Sequence, residues 1–211
     1  LVAFGLLLGV WVIGSSLTLL ADRLRGSHAK GLGAKIGGIP GGVWGMALAH
    51  LGVGVFVLGV TLVKGYEADR DVRMAPGQSS ELGGYVFRFL GAEAVSGPNY
   101  TAARGTIEVT RDGRPVTTLK PEKRVYTVSR MPMTESAIDS GVTRDLYVSM
   151  GEPVGDAAWI VQIRVKPFVD WIWVGCLIMA LGGVLAAADR RYRLPVRRAR
   201  EAAGMPAPAR P

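Results

Sequence analysis

Three long apolar runs, at residues 1–21, 43–63 and 169–188, punctuate the chain, and between the second and third the pattern changes to short polar–apolar alternation. The 43–63 run, V-W-G-M-A-L-A-H-L-G-V-G-V-F-V-L-G-V-T-L-V, has no formal charge over 21 residues. At ~1.5 Å per helical residue it reaches across the ~30 Å hydrocarbon core of a bilayer. The flanking runs share its character, so the pattern predicts three transmembrane helices. Within 64–168, the segments 85–90, 105–110, 125–128, 145–148 and 159–165 alternate or run β-branched and aromatic over short lengths, which predicts strands. Asp112-Gly113, between Ile107-Glu108-Val109 and Pro115-Val116-Thr117, signals a two-residue hairpin, because both central positions of that turn require φ > 0. The expected fold is an α+β membrane protein: three transmembrane helices with a small all-β barrel or sandwich between the second and third.

Charge then orients this picture. The net charge of +8 is unevenly placed: 22–42 has Arg23, Arg25, Lys30 and Lys35 against Asp22, 189–211 has seven Arg against two acids, and 64–168 has 14 basic and 13 acidic residues. The excess is juxtamembrane, which the positive-inside rule accounts for without nucleic acid. It places the 22–42 loop and the basic tail 189–211 in the cytoplasm and the β domain 64–168 on the opposite side of the membrane. The tail should be disordered or lie on anionic lipid. Leu1 opens inside an apolar helix with no basic segment before it, so the expectation is a piece of a longer membrane protein, not a signal peptide. The loop, with Gly26, Gly31, Gly33, Gly37, Gly38, Gly41 and Gly42, reads as too flexible to form a packed element, and Gly37-Gly38 lacks the strand and the Gly-Lys-Ser/Thr of a phosphate loop.

The candidate chemistry is one imidazole. His50 is the only ionisable residue of the 43–63 run, and a polar ring in lipid costs free energy unless it faces protein, a cavity or a metal. At ~100° per residue, Gly45, Ala49, Gly52 and Gly59 form a small-residue stripe on which a neighbouring helix can pack. His50 points elsewhere, and Ala47 at i−3 and Gly54 at i+4 would leave clearance beside its ring for something broad and flat. Two roles stay open on these residues: a structural or proton-relay histidine, and a haem-iron ligand. His28 reads as a solvated loop residue. The 64–168 region has no histidine and no cysteine, which argues against a protein metal site of ordinary type there. Its carboxylates Glu135, Asp139 and Asp145 read as solvated or structural. Trp171, Trp173 and Lys166 fit an interfacial belt. Cys176, the single cysteine, lies in the third span.

Five motifs in order carry a family resemblance: M-A-L-A-H-L-G-V-G-V-F (46–56), R-V-Y (124–126), M-T-E-S-A-I (133–138), D-L-Y-V (145–148) and K-P-F-V-D-W-I-W-V-G (166–175), ahead of Gly182-Gly183 and Arg190-Arg191. Over 1–193 the chain resembles the C-terminal part of the CcmF/NrfE family, the haem lyase subunits of bacterial cytochrome c maturation. The resemblance implies a bound haem b with His50 as one of two axial ligands. It implies receipt of haem from a periplasmic haem chaperone, joining of its vinyl groups to the C-x-x-C-H thiols of apocytochrome c, and thiol-handling maturation subunits as partners. It also implies that a b haem passes electrons that keep the substrate iron ferrous. The second axial ligand and the family's Trp-rich haem-presenting segment lie outside this sequence; Trp171-Ile172-Trp173 is not that segment. The rival reading is a membrane-anchored β-domain scaffold without chemistry of its own.

Overall fold

The structure is a computed structural model and describes residues 1–189. The basic tail lies outside the described residues apart from Asp189. Two compact units divide the chain, one of residues 1–61 with 171 onward, the other of residues 62–170.

The first unit holds the three expected spans: α1 (Val2–Arg25), α3 (Gly41–Tyr66) up to residue 61, and α4 (Val169–Ala188) from residue 171, with a short α2 (Leu32–Gly37) between α1 and α3. Glycine sets their packing. A Cβ on Gly45 would lie 2.6 Å from the Gly182 carbonyl oxygen, and one on Gly52 would lie 2.7 Å from that of Gly175. Reciprocally, a Cβ on Gly182 would lie 2.5 Å from the Ala49 nitrogen. Residue numbers rise along α3 as they fall along α4, so the two run antiparallel with their backbones in direct approach. The seven-residue spacing of Gly45, Gly52 and Gly59, matched by Gly175 and Gly182, keeps this seam aligned if the helices cross at a shallow left-handed angle. On another face of α3, a Cβ on Gly54 would lie 2.5 Å from Ile13 Cγ1 and 3.0 Å from the Gly9 carbonyl oxygen of α1. The small-residue stripe was therefore legible, but the clearance assigned to Gly54 is filled by α1.

The loop 22–42 differs from expectation, because α2 forms inside it. Gly31, at φ 93°, makes the entry that a side chain would resist, Leu32 and Ile36 sit one turn apart, and the Trp44 indole N–H donates to the Ile36 carbonyl at 3.5 Å. The Gly42 N–H donates to Asp189 Oδ2 at 2.6 Å, so the carboxylate that follows α4 satisfies an otherwise orphaned donor at the positive end of α3.

The second unit is an antiparallel β-sandwich. One sheet runs β1 (Ala68–Met74), β10 (Ala158–Pro167), β9 (Arg144–Val154), β8 (Ala137–Asp139). The other runs β2 (Ser79–Leu82), β3 (Tyr85–Ser96), β4 (Tyr100–Arg111), β6 (Glu122–Tyr126), β7 (Pro132–Glu135), with β5 (Arg114–Leu119) also on β4. Alternate residues of each strand point inward: Tyr85, Phe87 and Phe89 of β3, Ile107 and Val109 of β4, Leu146 and Val148 of β9, Val161 and Ile163 of β10. Each such large apolar side chain, withdrawn from water, contributes ~1.5–3 kcal/mol. The β4–β5 turn is at Asp112 (φ 50°) and Gly113 (φ 74°), as its sequence signalled. The strand expected at 125–128 instead ends at Tyr126, and Val128 is solvent-exposed.

The glycine seam makes a paired test. Gly182→Ala should destabilise the membrane unit by about 1–3 kcal/mol through overpacking against Ala49 and Gly45, read as a lower thermal midpoint in detergent. Gly183→Ala, whose Cβ would meet nothing within 4 Å, should be neutral or slightly stabilising.

Candidate functional site

His50 lies nine residues into α3 from Gly41, about 14 Å along the axis. The glycine contacts turn the Gly45–Gly52 face to α4 and Gly54 to α1, and the imidazole is exposed, beside Ser15, Ser16 and Leu19 of α1. Its Nδ1 is 2.8 Å from the Met46 carbonyl oxygen, one turn earlier. A carbonyl only accepts, so this contact calls for the proton on Nδ1 and leaves the Nε2 lone pair free. That is the tautomer an imidazole needs to bind a metal through Nε2, with the backbone as the orienting partner.

On the α1 side, Ser15, Ser16, Leu19, Met46, Ala47 and His50 line an open groove of about 120 Å³. Both serine hydroxyls donate back to the Val12 carbonyl at 2.9 Å, so they present oxygen lone pairs rather than free donors. This space is well below the ~300–1,000 Å³ of typical ligand pockets. A porphyrin is larger than this groove, so a haem against His50 would lie mainly outside it. Ala47 is buried and Gly54 is covered by Ile13, so neither offers the clearance expected beside the His50 ring. His28 lies exposed in the loop after α1 and belongs to no cluster of three or more metal-ligating side chains among the described residues.

In the β unit, motifs that are separate in sequence meet on adjacent strands. Arg124 of β6 pairs in register with Met133 of β7, and the Ser136 hydroxyl donates to the Tyr147 hydroxyl of β9. At the centre is Glu122, only 6% exposed. Arg104 Nε donates to its Oε1 at 2.6 Å and Arg124 Nε to its Oε2 at 2.7 Å. Arg124 also reaches Glu135 at 3.2 Å and lies 4.5 Å over the Tyr100 ring, which packs edge-on to Tyr126. The hydrogen bond from Arg124, then that from Arg104, holds the Glu122 carboxyl below its ordinary range despite burial, and the same contacts raise Arg124. Sequence reasoning singled out Arg124 to Tyr126 but missed Glu122 and Arg104, since no local pattern joins residues 18 positions apart. Glu135 and Asp139 are structural as expected, in ion pairs with Arg124 and Arg144, and Asp145 accepts from the Gly141 N–H.

Residues 65–167 match the family described as the CcmF C-terminal beta-sandwich. The chain is 52% identical over 200 residues to the cytochrome c-type biogenesis protein CcmF of Pseudomonas aeruginosa, a match that covers 94% of this chain and 30% of that protein. It is 49% identical over 150 residues to the protein of the same name from Escherichia coli K12, covering 71% of this chain and 23% of that one. A solved structure of the cytochrome c heme lyase CcmF has the same fold over 88% of this chain and 30% of that chain, with a TM-score of 0.72 at 17% identity. The chain thus spans about 30% of the length of the Pseudomonas aeruginosa relative.

The buried carboxylate makes stability depend on acid. A carboxyl lowered on folding stabilises the folded state above its ordinary value of 4.5, and that stabilisation is lost as pH falls through 4.5 toward the lowered value. Loss of β-sheet circular dichroism on heating should therefore shift to lower temperature below about pH 4.5. Glu122→Gln should lower the neutral-pH midpoint by about 5 °C and flatten this dependence. Some slope should remain, because Glu67, hydrogen-bonded by Lys64, is also lowered.

Proposed function

The chain belongs to the CcmF family, and we propose that it serves cytochrome c biogenesis as the portion of a membrane haem lyase in which α3 presents one axial ligand to a haem b. The observation that carries this reading is the His50 imidazole, exposed in a 26-residue apolar helix with Nδ1 held by the Met46 carbonyl, which leaves the lone pair on Nε2. Without a ligand, that exposed ring in lipid costs free energy. Iron coordination at Nε2 offsets this cost and makes the Nδ1 contact an orienting one. Haem held there by His50 would supply reversible one-electron chemistry, of the kind needed to keep a substrate haem iron ferrous while thioethers form on the C-x-x-C-H thiols of apocytochrome c.

The protein is multi-pass, with three helices long and apolar enough to cross a membrane among the described residues. The excess of Lys and Arg at 22–42 favours placing that end on the cytoplasmic side of the bacterial inner membrane, and the β unit then faces the periplasm. With no histidine or cysteine of its own, the β unit acts by recognition: it docks apocytochrome c, the haem chaperone or the thiol-handling subunits. Its exposed apolar side chains Val128, Met131 and Met133, around the β6–β7 turn, supply a surface for such docking.

Two measurements test this reading. In the full-length protein, His50→Ala should abolish the b-type band of the reduced-minus-oxidised spectrum, and His50→Gly should regain it on addition of imidazole. A band of wild-type intensity in His50→Ala leaves only the scaffold role. Met131→Asp with Met133→Asp should leave that spectrum intact while reducing co-purification of apocytochrome or thiol-handling subunits at least several-fold; unchanged recovery moves the docking surface elsewhere.

A further inference from the structure

A second cavity lies at the charged end of the membrane unit, where the last turn of α1 meets the end of α2 and the residues after it. It measures about 460 Å³ and is lined by Asp22, Arg23, Gly26, Ser27, Lys35, Gly38, Ile39 and Pro40. That volume is in the range of small-ligand sites. Its chemistry is divided. Arg23 and Lys35 come from different helices, and neither forms an ion pair among the described residues. Ser27 adds a hydroxyl, while Gly26 and Gly38 leave stretches of wall without side chains, so a ligand can come up to the backbone. Ile39, 8% exposed, and Pro40 form an apolar side.

Position specifies the ligand further. Residues 1–21 carry no formally charged side chain, and Asp22 and Arg23 are the first. The cavity therefore opens where the hydrocarbon ends and the headgroup layer begins. A phosphate there meets two cations that form no ion pair among the described residues, and the chain attached to it meets Ile39, Pro40 and the apolar flank of α1. Arg25 and Lys30 add positive charge nearby in sequence, against Asp22 as the lone acid of residues 22–42. Asp22 disfavours a second negative charge, which matches a phosphodiester, singly charged, better than a phosphomonoester.

We propose that this cavity binds the phosphodiester headgroup of an anionic phospholipid, with Arg23 and Lys35 holding the phosphate. The lipid would fix the α1–α2 corner in a segment whose glycines give it little order of its own. The site is independent of the imidazole on α3, so its test is independent as well.

Native mass spectrometry of the full-length protein, titrated with phosphatidylglycerol, phosphatidylcholine or inorganic phosphate, reads the binding directly. Phosphatidylglycerol should form a saturable adduct that Arg23→Gln with Lys35→Gln weakens about 30-fold. Arg23→Lys with Lys35→Arg should retain it, and Asp22→Asn should strengthen it. Equal binding by the double Gln variant overturns the site. Equal retention of phosphatidylcholine overturns the anionic preference, and displacement by equimolar inorganic phosphate makes it a site for soluble anions instead of lipid.

Discussion

Close approach of α3 to its two neighbours governs the membrane unit. Lipid chains are as apolar as leucine, so the exclusion of water that packs a soluble core gives helices in a bilayer little reason to associate. Dispersion must do it, and dispersion falls steeply with distance. Glycine removes the side chain that would hold backbones apart, and here it does so on both partners: Gly45 and Gly52 meet Gly182 and Gly175, and Gly54 meets Gly9. Contacts on two faces of one helix fix its rotation as well as its distance. His50 is aimed by these contacts, although it belongs to neither.

That rotation matters because the imidazole has one orienting hydrogen bond. The Met46 carbonyl determines which nitrogen carries the proton, but it moves with α3 and cannot set where the ring faces relative to α1 and α4. The glycine seams do that. The Asp189 carboxylate at the Gly42 N–H adds an end stop, tying the residue after α4 to the first turn of α3. A single imidazole can thus be held in one tautomer and one direction by a backbone carbonyl and by glycine packing, which keeps the desolvation cost of the site low.

How much of this was legible follows from where each signal lies. The spans and the Gly45, Ala49, Gly52 and Gly59 stripe are local patterns, and the structure has them. Gly54 was misread because a small residue signals close approach without naming what approaches; Ile13 does, and the sequence pattern of α3 has no information about α1. The short α2 was hidden by seven glycines in the surrounding loop, whose flexibility outweighed the single Leu32–Ile36 repeat. Strand β1, A-D-R-D-V-R-M, escaped because it lies at a sheet edge and buries chiefly Val72 and Met74, so charged positions swamp its alternation. Glu122 with Arg104 was invisible for a different reason: their partnership arises from the register of β4 against β6, a long-range property.

The β unit raises a converse question, why a buried carboxylate is kept where an apolar side chain would serve. Apolar substitutes for buried ion pairs are often as stable or more so, so stability is a weak reason. Register is a better one. Residues on β4, β6 and β7 line up as Arg104, Glu122 and Glu135 across the sheet, and a slip of one residue would turn Glu122 to the opposite face, away from both arginines. The short β7 has only four residues of ladder to hold it, so the Arg124–Glu135 contact supplies discrimination that backbone pairing alone lacks. What this register positions is the Met131 and Met133 side chains beside it. Whatever those side chains meet, a fixed register keeps the strand that carries Met133 in one place.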